Sequence, residues 1–236
     1  MDIRIYDSKS LVARHFSNYL VQFISNKDEV HIALSGGSTP QIVFEELASL
    51  KKDAIDWSKV HLYWGDERCV PPTDEQSNYK MTQTYLLSQI NIPIANVHRI
   101  KGEDLPSEEA VRYEELLREK LPNLAGIPSF DLVILGMGED GHTASIFPHE
   151  IGLWESDRLC EVATHPESGQ KRITITGKVI NHSKEVAFLV TGIGKKGKVV
   201  DILNHQGDFK EYPATLVAPE SGNLIWFLDK GAASLL

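Results

Sequence analysis

Apolar residues in this chain come in two arrangements, short unbroken runs and repeats spaced three or four apart. The runs fall at Ile3 to Tyr6, Val30 to Leu34, Val60 to Trp64, Val97 to Ile100, Asp131 to Leu135, Glu185 to Thr191, Tyr212 to Val217 and Leu224 to Leu228, and each predicts a strand. Continuous rather than alternating hydrophobicity, clearest in Leu132-Val-Ile-Leu135, is what a strand covered on both faces requires. Helical repeats lie between the runs. Val12, Phe16, Leu20 and Ile24 follow Ser8, a capping residue type, and Ile42, Val43, Leu47 and Leu50 follow Pro40, which suits a first helical turn. Met81, Tyr85, Leu86 and Ile90 mark a helix over Asn78 to Ile90; Ser107 is placed to cap another to Leu121, with Glu108 and Glu109 at its positive end. The stretch after Pro148 through Arg158 to Thr164 reads as less regular, and its tip at 165–169 as flexible in composition. Arg172 to Thr176 alternates, so Arg172 either reaches a pocket or faces solvent, with solvent the default. Strands interleaved with helices predict a single α/β domain over residues 1–236, a mostly parallel sheet flanked by helices.

Candidate chemistry lies where the strands end, because open parallel sheets bind ligands outside their carboxyl edge. The run to Leu135 empties into Gly136-Met-Gly-Glu-Asp-Gly-His142. His142 can change charge near neutral pH and act as a general base, while Asp140 or Glu139 fixes its tautomer and free amides of the turn hold an oxyanion. Thr143 to Phe147 reads as a short helical turn stopped by Pro148. The plainer alternative makes Asp140 a helix cap and His142 an exposed first-turn residue. Strand, glycines and histidine together favour the catalytic reading. The run to Leu34 delivers Ser35-Gly-Gly-Ser-Thr-Pro40, so Gly36, Gly37, Ser38 and Thr39 are candidate phosphate or sugar contacts, or simply a capped turn. The run to Trp64 delivers Gly65-Asp-Glu-Arg68, where Arg68 offers a planar fork to an anion and Asp66 and Glu67 hold sugar hydroxyls or orient it; a solvated loop is the alternative. The run to Thr191 delivers Lys195, Lys196 and Lys198 at a helix start, where cations oppose the dipole unless an anion sits among them or they remain solvated.

Gly136-Met-Gly-Glu-Asp-Gly141 also spells the dinucleotide fingerprint, but that motif needs a full helix and a later acidic residue ending a strand. Pro148 interrupts the helix and Glu155 and Asp157 follow no apolar run, so nicotinamide binding is a minor alternative. With 24 basic against 33 acidic residues, the net charge of −9 opposes general nucleic-acid binding yet allows a local cationic pocket. Cys69 and Cys160 have no paired spacing, and Cys69 beside Arg68 reads as incidental. No apolar stretch is long enough to span a bilayer and no signal pattern opens the chain, so a soluble, cytoplasmic protein without an obligatory partner is expected. Nine histidines are scattered without metal-ligand spacing, so no metal is expected.

Four stretches together resemble the 6-phosphogluconolactonase family along essentially the whole chain. They are Leu34-Ser-Gly-Gly-Ser-Thr-Pro40, Trp64-Gly-Asp-Glu-Arg68 with Ser77-Asn78, Gly136 to Pro148, and Arg172-Ile-Thr with the later Lys195. The resemblance implies a modified Rossmann-like fold, hydrolysis of 6-phospho-D-glucono-1,5-lactone and no cofactor. It implies His142 as the water-activating base, Asp140 as its partner, and Arg68, Arg172 and Lys195 as cationic substrate contacts. Glucosamine-6-phosphate deaminases resemble Gly-His-x-Ala-Phe-Asn-Glu-Pro at the same loop and Asp-Glu-Tyr at the earlier one. This chain has Phe147 where they place the carboxylate and Arg68 where they place the tyrosine. A non-enzymatic sugar-phosphate sensor is the remaining class, although no module to transmit a signal is visible.

Overall fold

The computed structural model of the protein describes residues 1–50 and 52–236. In chain order its regular elements are β1 (Asp2–Tyr6), α1 (Lys9–Ser25), β2 (Val30–Leu34), α2 (Ser38–Leu50), β3 (Val60–Trp64), β4 (Asp66–Arg68), α3 (Asn78–Tyr85), β5 (Val97–His98) and α4 (Pro106–Lys120). They continue with β6 (Asn123–Leu124), β7 (Ile127–Pro128), β8 (Leu132–Leu135), β9 (Cys160–Thr164), β10 (Lys171–Ile175), α5 (Gly177–Asn181), β11 (Val186–Val190), α6 (Lys196–Asn204) and β12 (Leu224–Asp229). Seven strands form one sheet in the order β1-β12-β11-β8-β2-β3-β5. Every pairing in it is parallel. The three central strands β2, β8 and β11 are buried at every residue, as their unbroken apolar runs require.

Helices cover this sheet with the stripes their sequences carry. Ser8 Oγ accepts from the Leu11 amide at 3.3 Å, and Val12, Phe16, Leu20 and Ile24 are all buried on α1. Each such side chain contributes roughly 1.5–3 kcal/mol by leaving water. On α2 the buried stripe is Val43, Phe44, Leu47 and Ala48, whereas Leu50 points outward. Helix α4 begins one residue before the expected cap: Leu105 takes the capping position without a side-chain bond and Pro106, lacking an N–H, occupies the first turn. Among the described residues no helix is long and apolar enough to cross a membrane.

The site depends on where the chain reverses. It leaves β2 toward β3 on one side and β8 toward β11 on the other, so the loops following these neighbouring strands diverge and open a crevice. A second, antiparallel sheet of β4, β10 and β9 walls one flank. Residues 158–164 therefore include a strand rather than being irregular, and Asp66 to Arg68 form one rather than a loop. The apolar run at 212–217 is not a strand: Pro213–Leu216 makes a 3-10 turn beneath the loop after β8.

Candidate active site

The loop after β8 is a knot of short hydrogen bonds. The Gly138 amide donates to the His142 carbonyl at 2.8 Å, the Gly141 amide to the Gly138 carbonyl at 3.2 Å, and Thr143 Oγ1 to the Gly136 carbonyl at 2.8 Å. Gly141 has φ +88°, and a Cβ there would meet Tyr212 Cβ at 2.6 Å. A Cβ on Gly138 would collide with the His142 ring and the Asp140 carboxylate. The expected helical turn over 143–147 does not form. Thr143 and Ile146 instead bridge across a tight reversal with Ala144 at φ +49°, and helical geometry begins at Pro148. Without a helix there is nothing for Asp140 to cap, and the dinucleotide spelling loses the element it needs. Nor is the turn a row of free donors, because the amides of Gly138, Gly141, His142, Ser145 and Ile146 are all used internally.

Asp140 instead grips His142 twice, accepting from its amide at 3.1 Å and lying 2.6 Å from ring Nδ1. Burial alone would push Asp140 up, but the hydrogen bond and charge of His142 outweigh it and hold the carboxyl at about 2. A carboxylate at this distance favours the tautomer with its proton on Nδ1, which turns Nε2 toward the cavity as the acceptor. Glu139 turns away toward Gly194, whose added Cβ would meet its Oε1 at 2.5 Å.

Charges of opposite sign gather opposite this pair. Arg68 on β4 and Arg172 on β10 are direct cross-strand partners, an arrangement that like charges disfavour unless something negative lies between them. Both Nε atoms are buried and unpartnered among the described residues. Arg68 Nη1 donates to the Gln76 carbonyl at 2.5 Å, and Arg172 Nη1 lies 3.5 Å from Ser145 Oγ. Burial depresses Arg172 against the upward pull of Asp66. Solvent, the default for Arg172 from sequence, is therefore wrong: the half-buried side chain turns inward because β10 packs against β4. Asp66 accepts from Ser145 Oγ at 2.6 Å and Asn78 Nδ2 at 3.3 Å. Glu67 is structural, not a sugar contact, for it is buried and accepts from Arg68 N, Ser77 Oγ, Asn78 N and Tyr79 N. Burial raises its pKa despite those amides.

Gly36, Gly37, Asp66, Arg68, His142, Arg172 and Lys195 line one cavity of about 220 Å³. Lys195 precedes α6; burial lowers its pKa while Glu139 and Asp140 pull it back. It is the one lysine of its cluster that lines this cavity, since Lys198 donates to Tyr212 Oη at 2.6 Å and lies 3.9 Å from that ring's centre. Ser38 and Thr39 line an adjoining hollow of about 300 Å³ that shares Gly36, Gly37 and Lys195. Their hydroxyls are engaged, Ser38 by Lys9 at 2.6 Å and Thr39 by Thr191 at 2.8 Å. Asn78, Ala144 and Ser145 join the site without having been singled out as contacts; only their places in the quoted motifs hinted at them. Cys69 is set apart from the chemistry, its thiol pushed to about 11 by burial and by Glu67 and Glu109. A larger hollow of about 480 Å³ lies near Asp53 to Ser58 and is lined by neither arginine nor histidine.

An all-parallel sheet with a small cavity lined by two arginines, a lysine and a histidine at its switch point is the architecture of an α/β protein with a ligand crevice at its strand ends. Residues 7–226 match the family described as glucosamine-6-phosphate isomerases/6-phosphogluconolactonase, and the chain belongs to that family. A 6-phosphogluconolactonase of Haemophilus influenzae is 46% identical over 208 residues, 88% of this chain and 88% of its own. One of Treponema pallidum is 41% identical over 86% of this chain and 84% of its own. The solved structure of devB protein superposes with a TM-score of 0.94 at 40% identity, covering 99% of this chain and 98% of that one. The resemblance carried by the four motifs is thus borne out across the chain.

Proposed function

We propose that the protein hydrolyses 6-phospho-D-glucono-1,5-lactone to 6-phospho-D-gluconate in the oxidative pentose phosphate pathway, with His142 as general base. One observation carries the mechanism: a carboxylate-held imidazole and two arginines whose Nε atoms have no partner among the described residues share the same cavity. Water lying between His142 Nε2 and lactone C1 gives its proton to Nε2 as the C–O bond forms. Asp140 stabilises the imidazolium, and Arg68 and Arg172 stabilise the tetrahedral oxyanion in place of the turn amides. Collapse breaks the bond from C1 to the ring oxygen, which takes the proton back from Nε2. Base catalysis of this kind contributes about 10²–10⁴-fold. Lys195 and the backbone amides of Ser38 and Thr39 at the start of α2 hold the phosphate.

The relatives named 6-phosphogluconolactonase support this substrate, and two residues weigh against deaminase chemistry. Phe147 supplies no carboxylate at the loop, and Arg68 replaces a tyrosine. A sensor would need no base, yet the His142–Asp140 pair is assembled. Two free cysteines, one fully buried, suit a reducing compartment, and we place the protein in the cytoplasm. Incubation with each sugar phosphate tests the reading. Acid release from the lactone above the spontaneous rate is expected. Ammonia from glucosamine 6-phosphate, or binding without turnover, would overturn it.

A further inference from the structure

Phe147 is 1% exposed and closes the turn after His142. Its ring centre lies 4.7 Å from that of His142 at an interplanar angle of 52°. The Arg172 guanidinium carbon lies 5.4 Å from the same ring centre. His165 of the β9–β10 hairpin meets the ring edge-on at 5.3 Å, and His149 lies at 5.9 Å. One apolar side chain therefore touches both the proposed base and one proposed anion-binding arginine, and neighbouring imidazoles pack against it.

Arg172 is poorly anchored by anything else. Among the described residues its buried Nε has no partner, and its one side-chain hydrogen bond, to Ser145 Oγ, is 3.5 Å long. The nearby Asp66 carboxylate already accepts from Ser145 and Asn78. A carboxylate in place of the ring would fix the guanidinium by neutralising it. An aromatic face attracts the cation through its quadrupole and leaves the positive charge available to a ligand. The same ring limits where the His142 imidazole can swing, which matters because misplacing a reacting group by about an ångström costs on the order of 10²-fold in rate.

We infer that Phe147 is a positioning residue that holds Arg172 unneutralised for the anionic substrate and walls the His142 ring into its reactive orientation. The inference rests on the lactonase reading. Its test replaces Phe147 with phenylalanines bearing one, two, three and five fluorines, which keep the side chain's outline while weakening and then inverting the quadrupole. Affinity for 6-phosphogluconate, measured by calorimetry, should fall stepwise by a total of about 3- to 30-fold, the range expected of a partly desolvated cation–π contact. kcat should fall in parallel, because Arg172 faces the developing oxyanion, while KM changes less than about twofold and the melting temperature moves little. Phe147→Leu should lose on both counts, with kcat falling about 10-fold because the wall is gone. A core-filling role alone would leave affinity flat along the fluorinated series, and that result would overturn the inference even if Phe147→Leu failed to fold. A parent protein that binds 6-phosphogluconate but opens no lactone would defeat the functional reading and still leave the series readable.

Discussion

At the end of β8, His142 has one nitrogen 2.6 Å from Asp140 and, among the described residues, no partner on the other, beside two arginines whose Nε atoms are likewise unpartnered there. On the sheet face across β2, β3 and β5, three other imidazoles form a network with Tyr63 and Glu29. His31 Nδ1 meets Tyr63 Oη at 3.1 Å, His61 Nδ1 meets His98 Nε2 at 3.2 Å, and Glu29 takes His61 Nε2 at 3.0 Å. The rings stack, His31 on His61 at 4.8 Å and His61 on His98 at 5.5 Å. Burial pushes all three below the ordinary histidine range, His98 to about 4. The contrast separates two uses of one residue type. Burial disfavours the charged form in the histidine network of the sheet; the base we propose instead keeps one nitrogen facing the cavity.

Exchanging parts of the two clusters should give very different penalties. His142→Ala should cut kcat by about 10²-fold or more while leaving affinity for 6-phosphogluconate nearly intact, as steady-state kinetics with spontaneous hydrolysis subtracted would show. Gly138→Ala should come next. Its new Cβ invades the space of His142 and Asp140, so kcat should fall at least about 10-fold with the melting temperature reporting separately on strain. Lys195→Ala should chiefly raise KM, by about 10-fold, and the penalty should shrink on unphosphorylated gluconolactone if the lysine holds phosphate. Equal penalties on the two lactones would leave it without that role.

The smallest effect on activity belongs to the sheet histidines, which should appear in stability instead. Their folded pKa values lie below the unfolded value, so between about pH 6.5 and 4 the unfolded chain binds more protons. Stability from this cluster is therefore fully present above about pH 6.5 and lost as pH falls toward 4. His98 alone should account for on the order of 2 kcal/mol. Urea midpoints at successive pH values should decline over that window, and less steeply in His98→Gln, with kcat at neutral pH changed little.

Much of this was legible in the sequence, and the exceptions share a cause. Unbroken apolar runs marked the central strands, and glycines or charge after each marked the crevice, because both are local consequences of burial and close approach. Arg172 was not assignable, since a period of two does not say which face a strand buries; its direction is set by β4, about a hundred residues earlier. The run at 212–217 matched a strand in hydrophobicity but is spent packing Tyr212 against Gly141. The turn at 143–147 hid its reversal because Ala144 takes a left-handed conformation that alanine rarely adopts. Likewise His31, His61 and His98 looked scattered because parallel register, not spacing, brings them together.

The central claim is that one cavity at the strand ends both holds the anion and opens the lactone. A crystal structure with 6-phosphogluconate bound tests it directly. The account predicts an oxygen of the C1 carboxylate within about 2.6–3.2 Å of His142 Nε2, directly or through one water, with the guanidinium groups of Arg68 and Arg172 alongside and the phosphate between Lys195 and the start of α2. Product lying in the hollow near Asp53 to Ser58, or bound in this cavity with its phosphate against His142, would contradict it.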